Sequence, residues 1–116
     1  MSSSAREYQA YVTGFAAGTE WNFSGIDFDG YRSALCQLEE AKANYDQFFE
    51  NGMPRYWWRD SGAADMIEEA GRQNSVAMQN PNTRLRWYFM QPICCNWATS
   101  EFIGRGYMIV TEWKSM

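Results

Sequence analysis

The sequence predicts a small α+β protein: an antiparallel sheet of three or more strands, one long helix packed on one face and a shorter second helix. Three observations lead there. Residues 28–51 repeat apolar side chains at three- and four-residue steps, as one face of a helix does. TRLRWYFMQ, 83–91, and GYMIVTEW, 106–113, alternate in the manner of half-buried strands. A wide apolar helical stripe then needs a sheet face to cover it, and this leaves the second face of the sheet partly open. At 116 residues, a single globular domain over 1–116 is expected, with residues 1–5 a disordered tail.

Taken in order, EYQAYVTGF, 7–15, sets Tyr8, Ala10 and Val12 against Gln9, Tyr11 and Thr13, which predicts a strand. Gly14 and Gly18 open a loop reaching about Gly25, and Asp27 or Asp29 is placed to cap the next element. In 28–51 the stripe is Tyr31, Ala34, Leu35, Leu38, Ala41, Tyr45, Phe48 and Phe49, with Glu39, Asp46 and Glu50 on the polar side. Asn51-Gly52 supplies a left-handed stop and Pro54 prevents continuation. Ser61 is a cap for a shorter helix that ends near Gly71. Residues 72–78 read ambiguously, Asn80-Pro81-Asn82 is a turn, and Pro92 stops the strand at 83–91. Residues 93–105 show no clear pattern before a Gly104-Arg105-Gly106 turn.

Composition narrows the chemistry. Histidine is absent, which removes Ser-His and Cys-His nucleophilic systems and most transition-metal sites. No cofactor and no metal site are expected. Cys36, Cys94 and Cys95 are odd in number and two are adjacent, a pattern of reduced thiols in a cytoplasmic protein. Without a histidine to activate them, Cys94 and Cys95 are expected as buried small hydrophobes. No apolar run approaches the ~20 residues of a membrane span. The net charge of −4 argues against a general binder of polyanions.

PRYWWRDSG, 54–62, raises the sharpest question, because adjacent tryptophans diverge whatever the local structure. One enters a core and the other is free for contact. Arg55, Trp57, Trp58 and Arg59, joined by Arg84 and Arg86, are therefore the candidate binding residues, since Trp and Arg dominate interfaces. Such a set also suits base stacking or an anionic ligand. The alternative is structural, with arginines paired to neighbouring acids such as Asp60. Among the acids, Asp65 and Glu69 share a helical face at i,i+4 despite repulsion, a pair suited to a basic partner or to general-base work.

Two functions compete on these grounds. The first is a small non-enzymatic binding protein that occludes a macromolecular partner, of the phage anti-defence or toxin-immunity type, with no catalytic residue. Its partner is a protein, with a homo-oligomer or a nucleic acid as alternatives, and no membrane. The second is a small enzyme or sensor for a nucleotide-containing or anionic ligand, with Glu68 or Glu69 as general base. A convex aromatic patch favours the first, and a concave pocket with converging polar groups favours the second.

Overall fold

The computed structural model describes residues 2–116. Its class is α+β, as the sequence predicts, but several elements exchange identity. The first is helix α1, Ser3–Thr13, where the sequence predicts a strand and part of a tail. Ser2 caps it by accepting the Ala5 N–H, and Gly14, at φ 79°, ends it in the left-handed conformation that suits glycine. Tyr8 and Val12, the buried residues of the proposed strand face, lie four apart. That spacing satisfies both a strand's period of two and a helical turn, so alternation alone could not separate them.

The expected helix over 28–51 is β-structure. A hairpin of β1, Trp21–Phe23, and β2, Ile26–Phe28, turns through Ser24-Gly25, both at positive φ. Then come β3, Gly30–Arg32, and β4, Gln37–Lys42, paired antiparallel. Cys36, at φ 50°, interrupts any helical path between them. Asn51-Gly52 is the left-handed turn of a second hairpin, β5 (Phe49–Glu50) with β6 (Met53–Pro54), and stops no helix. Leu38 and Phe49 are buried as predicted, whereas Leu35 is exposed.

The long helix lies further along. It begins as α2, Tyr56–Trp58, widens into a π-turn over Arg59–Ala63 and continues as α3, Ala64–Gln79. Residues 61–79, expected as a short helix and an ambiguous stretch, are thus most of the longest helix. Ser61 is no N-cap; its hydroxyl donates to the Trp58 carbonyl inside the π-turn. Strand β7, Arg84–Phe89, follows the predicted turn. Pro92 then opens helix α4, Pro92–Gly104, where no pattern was legible, and β8 is confined to Val110–Trp113. Asp46 caps α4 from a distance, its carboxylate accepting from the Ile93 and Cys94 N–H groups at 3.1 and 2.7 Å.

The main sheet has the order β3-β4-β7-β8. Only β3–β4 is antiparallel; β4–β7 and β7–β8 are parallel, so the expected all-antiparallel sheet is corrected to a mixed one. The reason is connectivity, since α3 and α4 each carry the chain back over the sheet before the next strand. On one face Leu38, Leu85, Trp87 and Phe89 pack against Met66 and Ala70 of α3 and Trp97, Ala98 and Phe102 of α4. On the other, Tyr88 packs with Tyr8 and Val12 of α1 and with Ala43. Gly30 permits this second layer, because a Cβ there would lie 2.7 Å from Thr13 of α1. The second sheet face is therefore covered in part by α1.

Candidate active site

Strand β4 carries Gln37-Leu38-Glu39-Glu40-Ala41-Lys42, and its pleat separates the two glutamates. Glu39 turns toward the α1 side. It is completely buried and held by Arg32 at 3.0 and 3.2 Å, by Gln37 at 2.7 Å and by the Tyr88 hydroxyl at 3.0 Å. Every donor in reach of this carboxylate is supplied by the protein, so it ties β3, β4 and β7 together.

Glu40 and Lys42 share the opposite face with Leu38. The Lys42 ammonium lies 3.1 Å from Glu40 and 2.6 Å from Glu69 of α3, and 5.0 Å from the centre of the Trp87 ring. Gln73, one turn beyond Glu69, donates to Glu40 at 2.9 Å and accepts from the Trp87 indole N–H at 2.9 Å. Asp29 joins from the edge. Gly30 pairs with Glu39, so Asp29 falls opposite Glu40 in the continued antiparallel register, and its carboxylate accepts the Ala41 N–H at 2.8 Å. It caps no helix, while Asp27 is exposed and binds Asn22.

Three carboxylates thus surround one ammonium. Burial pushes the Glu40 carboxyl well above the usual carboxylate range; Lys42 opposes this, and Asp29 and Glu69 add to it. Asp29 is raised as well, chiefly by burial, against the Ala41 hydrogen bond and Lys42. For Lys42, burial works to lower the pKa, but Glu40 and Glu69 outweigh it and hold the group above the ordinary ammonium value. An open cleft of about 820 Å³ reaches this cluster. Lys42, Asp65 and Glu69 line it together with Phe48, Trp58 and Arg72.

Of the residues singled out from sequence, Glu69 stands in this cluster and Asp65 on the cleft wall. Glu68 points away and pairs with Arg72. Trp57 and Trp58 diverge as expected. Trp58 is 8% exposed and stacks on Phe48, with ring centroids 4.9 Å apart, whereas Trp57 is 55% exposed. Arg55 and Arg59 pair with Glu50 and Asp60, and Arg86 with Glu112. Arg84 and Arg86 do not join the tryptophans. Arg84 starts β7 beside Gln37, whereas Trp57 and Trp58 pack on Phe48, which lies beyond the far end of β4. Five residues of strand separate the two ends, about 17 Å. Cys94 and Cys95 are buried in α4, as expected of small hydrophobes. From sequence Asp29 reads only as a cap, and Glu40, Lys42 and Gln73 are not site candidates, although an acid and a lysine two apart on a strand share a face.

Residues 5–92 match a family model described as Tox-REase-5, Restriction endonuclease fold toxin 5. The chain belongs to this family. The matched stretch holds every member of the buried cluster, from Asp29 to Gln73, and stops at the start of α4. No curated protein matches closely enough to count as a relative. Membership in a restriction endonuclease fold family implies a divalent cation, and the donor set bears on that directly. Asp29, Glu40 and Glu69 set three carboxylates against the single ammonium of Lys42. Among the described residues no three Cys, Asp or Glu side chains form a ready cage. An ion such as Mg²⁺ takes one or two carboxylates and completes its shell with water and substrate phosphate. Asp29 and Glu40 would be the residues to hold it.

Among the described residues, no helix is long and apolar enough to cross a membrane.

Proposed function

We propose that this member of the restriction endonuclease fold toxin family is itself a hydrolase of nucleic-acid phosphodiester bonds. One observation carries the reading: Asp29 and Glu40 crowd behind Lys42, from one strand and the turn beside it, and Lys42 with Glu69 lines a cleft open to solvent. A fold seldom keeps carboxylates buried and crowded unless they work, because burying a charge costs several kcal/mol, on the order of the whole stability margin. A cation held by Asp29 and Glu40 would supply charge neutralisation at the phosphate and a more acidic water. Lys42 remains charged between its two glutamates and faces the negative charge that develops on the phosphoryl oxygens during attack. Glu69, with its side chain one-third exposed, takes the proton of the attacking water, so the new P–O bond forms as the bridging P–O bond breaks. Gln73, itself oriented by the Trp87 indole N–H, fixes the Glu40 carboxylate.

The occluding-protein reading keeps one observation in its favour, the exposed Tyr56 and Trp57, the latter packed on Phe48 of the cleft wall. It gives no reason for the acid cluster, and an immunity protein has no need of Lys42 at the end of a cleft. A protein partner remains compatible with the hydrolase reading as something that covers this patch.

The experiment is cleavage of labelled DNA and RNA by purified protein with and without Mg²⁺. Glu40→Gln and Lys42→Met should each abolish cleavage while the circular dichroism spectrum stays native. Full activity in either variant, or none in the wild type on any nucleic acid, would remove the hydrolase reading.

A further inference from the structure

A duplex nuclease ordinarily tracks two phosphate backbones with a run of unpaired Lys and Arg. This chain carries net charge −4. Among the described residues, Arg32, Arg55, Arg59, Arg72, Arg86 and Arg105 are all in ion pairs with acids. Inside the cleft, Lys42 is held by Glu40 and Glu69, and Arg72 by Glu68, so the walls offer no row of spare positive charge. Whatever holds a nucleic acid here must draw on something besides backbone charge.

The cleft rim supplies an alternative. Gln47 and Phe48 form part of it. Arg55 donates to the Gln47 carbonyl at 3.2 Å, and Trp57 packs edge-on against Phe48 with ring centroids 6.0 Å apart. Behind them Trp58 stacks on Phe48 and fixes that ring. The result is a rigid aromatic step at the mouth of the cleft. Tyr56, 82% exposed, and Trp57 lie on its outer surface. The two indoles diverge because they are adjacent, and Gly62 of the π-turn leaves room for the Trp58 ring that goes inward.

We propose that Trp57 forms a base-stacking platform, with Tyr56 a second exposed ring diverging from it, and that the substrate is single-stranded or locally unpaired nucleic acid whose exposed bases rest there while the backbone enters the cleft. Every base has a π-face that a tryptophan can accept, so the platform selects unpaired strands without reading sequence. Paired bases cannot use it, because their faces are already stacked within the duplex. The inference rests on the hydrolase reading for the role of the cleft, but the binding it describes is measurable without cleavage.

The test is fluorescence anisotropy of labelled 12-nucleotide oligo-dT, oligo-U and a hairpin duplex in the presence of EDTA, so that hydrolysis cannot interfere. Wild type, Trp57→Ala, Trp57→Phe and Tyr56→Ala are compared. Single strands should bind more tightly than the duplex. Trp57→Ala should weaken that binding about tenfold, within the range for losing one stacked base, and Trp57→Phe should restore most of it. Preference between dT and U then distinguishes DNA from RNA. Tighter binding to the duplex, equal binding by Trp57→Ala, or no oligonucleotide binding by the wild type would each overturn the platform, the last assigning the patch to a protein partner. Cleavage in Mg²⁺ separates the two readings. Trp57-dependent binding without cleavage sinks only the hydrolase, and duplex cleavage indifferent to Trp57 sinks only the platform.

Discussion

Glu40→Gln should make this protein more stable while removing its proposed activity. The Glu40 side chain is 6% exposed and sits among Asp29, Glu69 and Lys42. Truncating one member of a buried ion pair ordinarily costs about 3–5 kcal/mol, because the other charge is stranded. Here Lys42 keeps Glu69 at 2.6 Å, and a glutamine oxygen can still accept from Gln73. What is lost is one contact of 3.1 Å; what is relieved is the burial of a carboxylate and its repulsion by two others. Relief of over-charged buried sites is worth about 1–4 kcal/mol, and the forfeited Lys42 contact puts the net near 1 kcal/mol. For a chain of 116 residues, that corresponds to a rise in Tm of about 4 °C. The pH dependence carries the diagnosis. Because Glu40 is raised in the folded state, the unfolded chain ionises first as pH increases. Wild-type stability therefore falls as pH climbs above the unfolded value near ~4.3, until the folded carboxyl ionises too. The advantage of Glu40→Gln should be absent near pH 4 and present at pH 7.5. Thermal melts monitored by circular dichroism at both values measure it. A variant that melts lower than wild type at pH 7.5 would show that ionised Glu40 supports the fold, and the reasoning from surplus charge would fail.

The same geometry sets four other outcomes. Millimolar Mg²⁺ should raise the wild-type melting temperature and leave that of Asp29→Asn unmoved, since an ion bound only by the folded state stabilises by mass action. Gly62→Ala should destabilise by about 1–3 kcal/mol and red-shift tryptophan emission, because its Cβ would collide with the Trp58 indole nitrogen. In native protein at pH 8, thiol titration should show Cys36 reacting fast and Cys94 slowly, as Cys36 is exposed and burial pushes the Cys94 thiol up to about 12. All three cysteines should react in denaturant. Asp46→Ala should cost about 1–2 kcal/mol by leaving the α4 N-terminus without its carboxylate, read as a lower denaturation midpoint.

Taken by itself, the sequence determined the α+β class, strand β7 and the divergence of Trp57 and Trp58, because these depend on local period and on the geometry of adjacent side chains. It also placed Glu69 and Asp65 on one face of a helix, where the cleft now lies. It could not distinguish α1 from a strand, since Tyr8 and Val12 four apart fit either period. The misassigned helix over 28–51 hid the site. On a helix Glu40 and Lys42 would point roughly 200° apart, and Glu39 and Glu40 would look like a solvated edge. On strand β4 the same residues separate into a structural carboxylate and a face turned to the cleft. Burying Glu39 and Glu40 is acceptable only with Arg32 and Tyr88 behind one and with Gln73 and Lys42 beside the other. Those partners come from β3, β7, α3 and β4 itself, so they meet only once the parallel strands and the helix are in place. Local propensity marks these acids as exposed; tertiary hydrogen bonds made their burial possible, and that decision belongs to the folded structure alone.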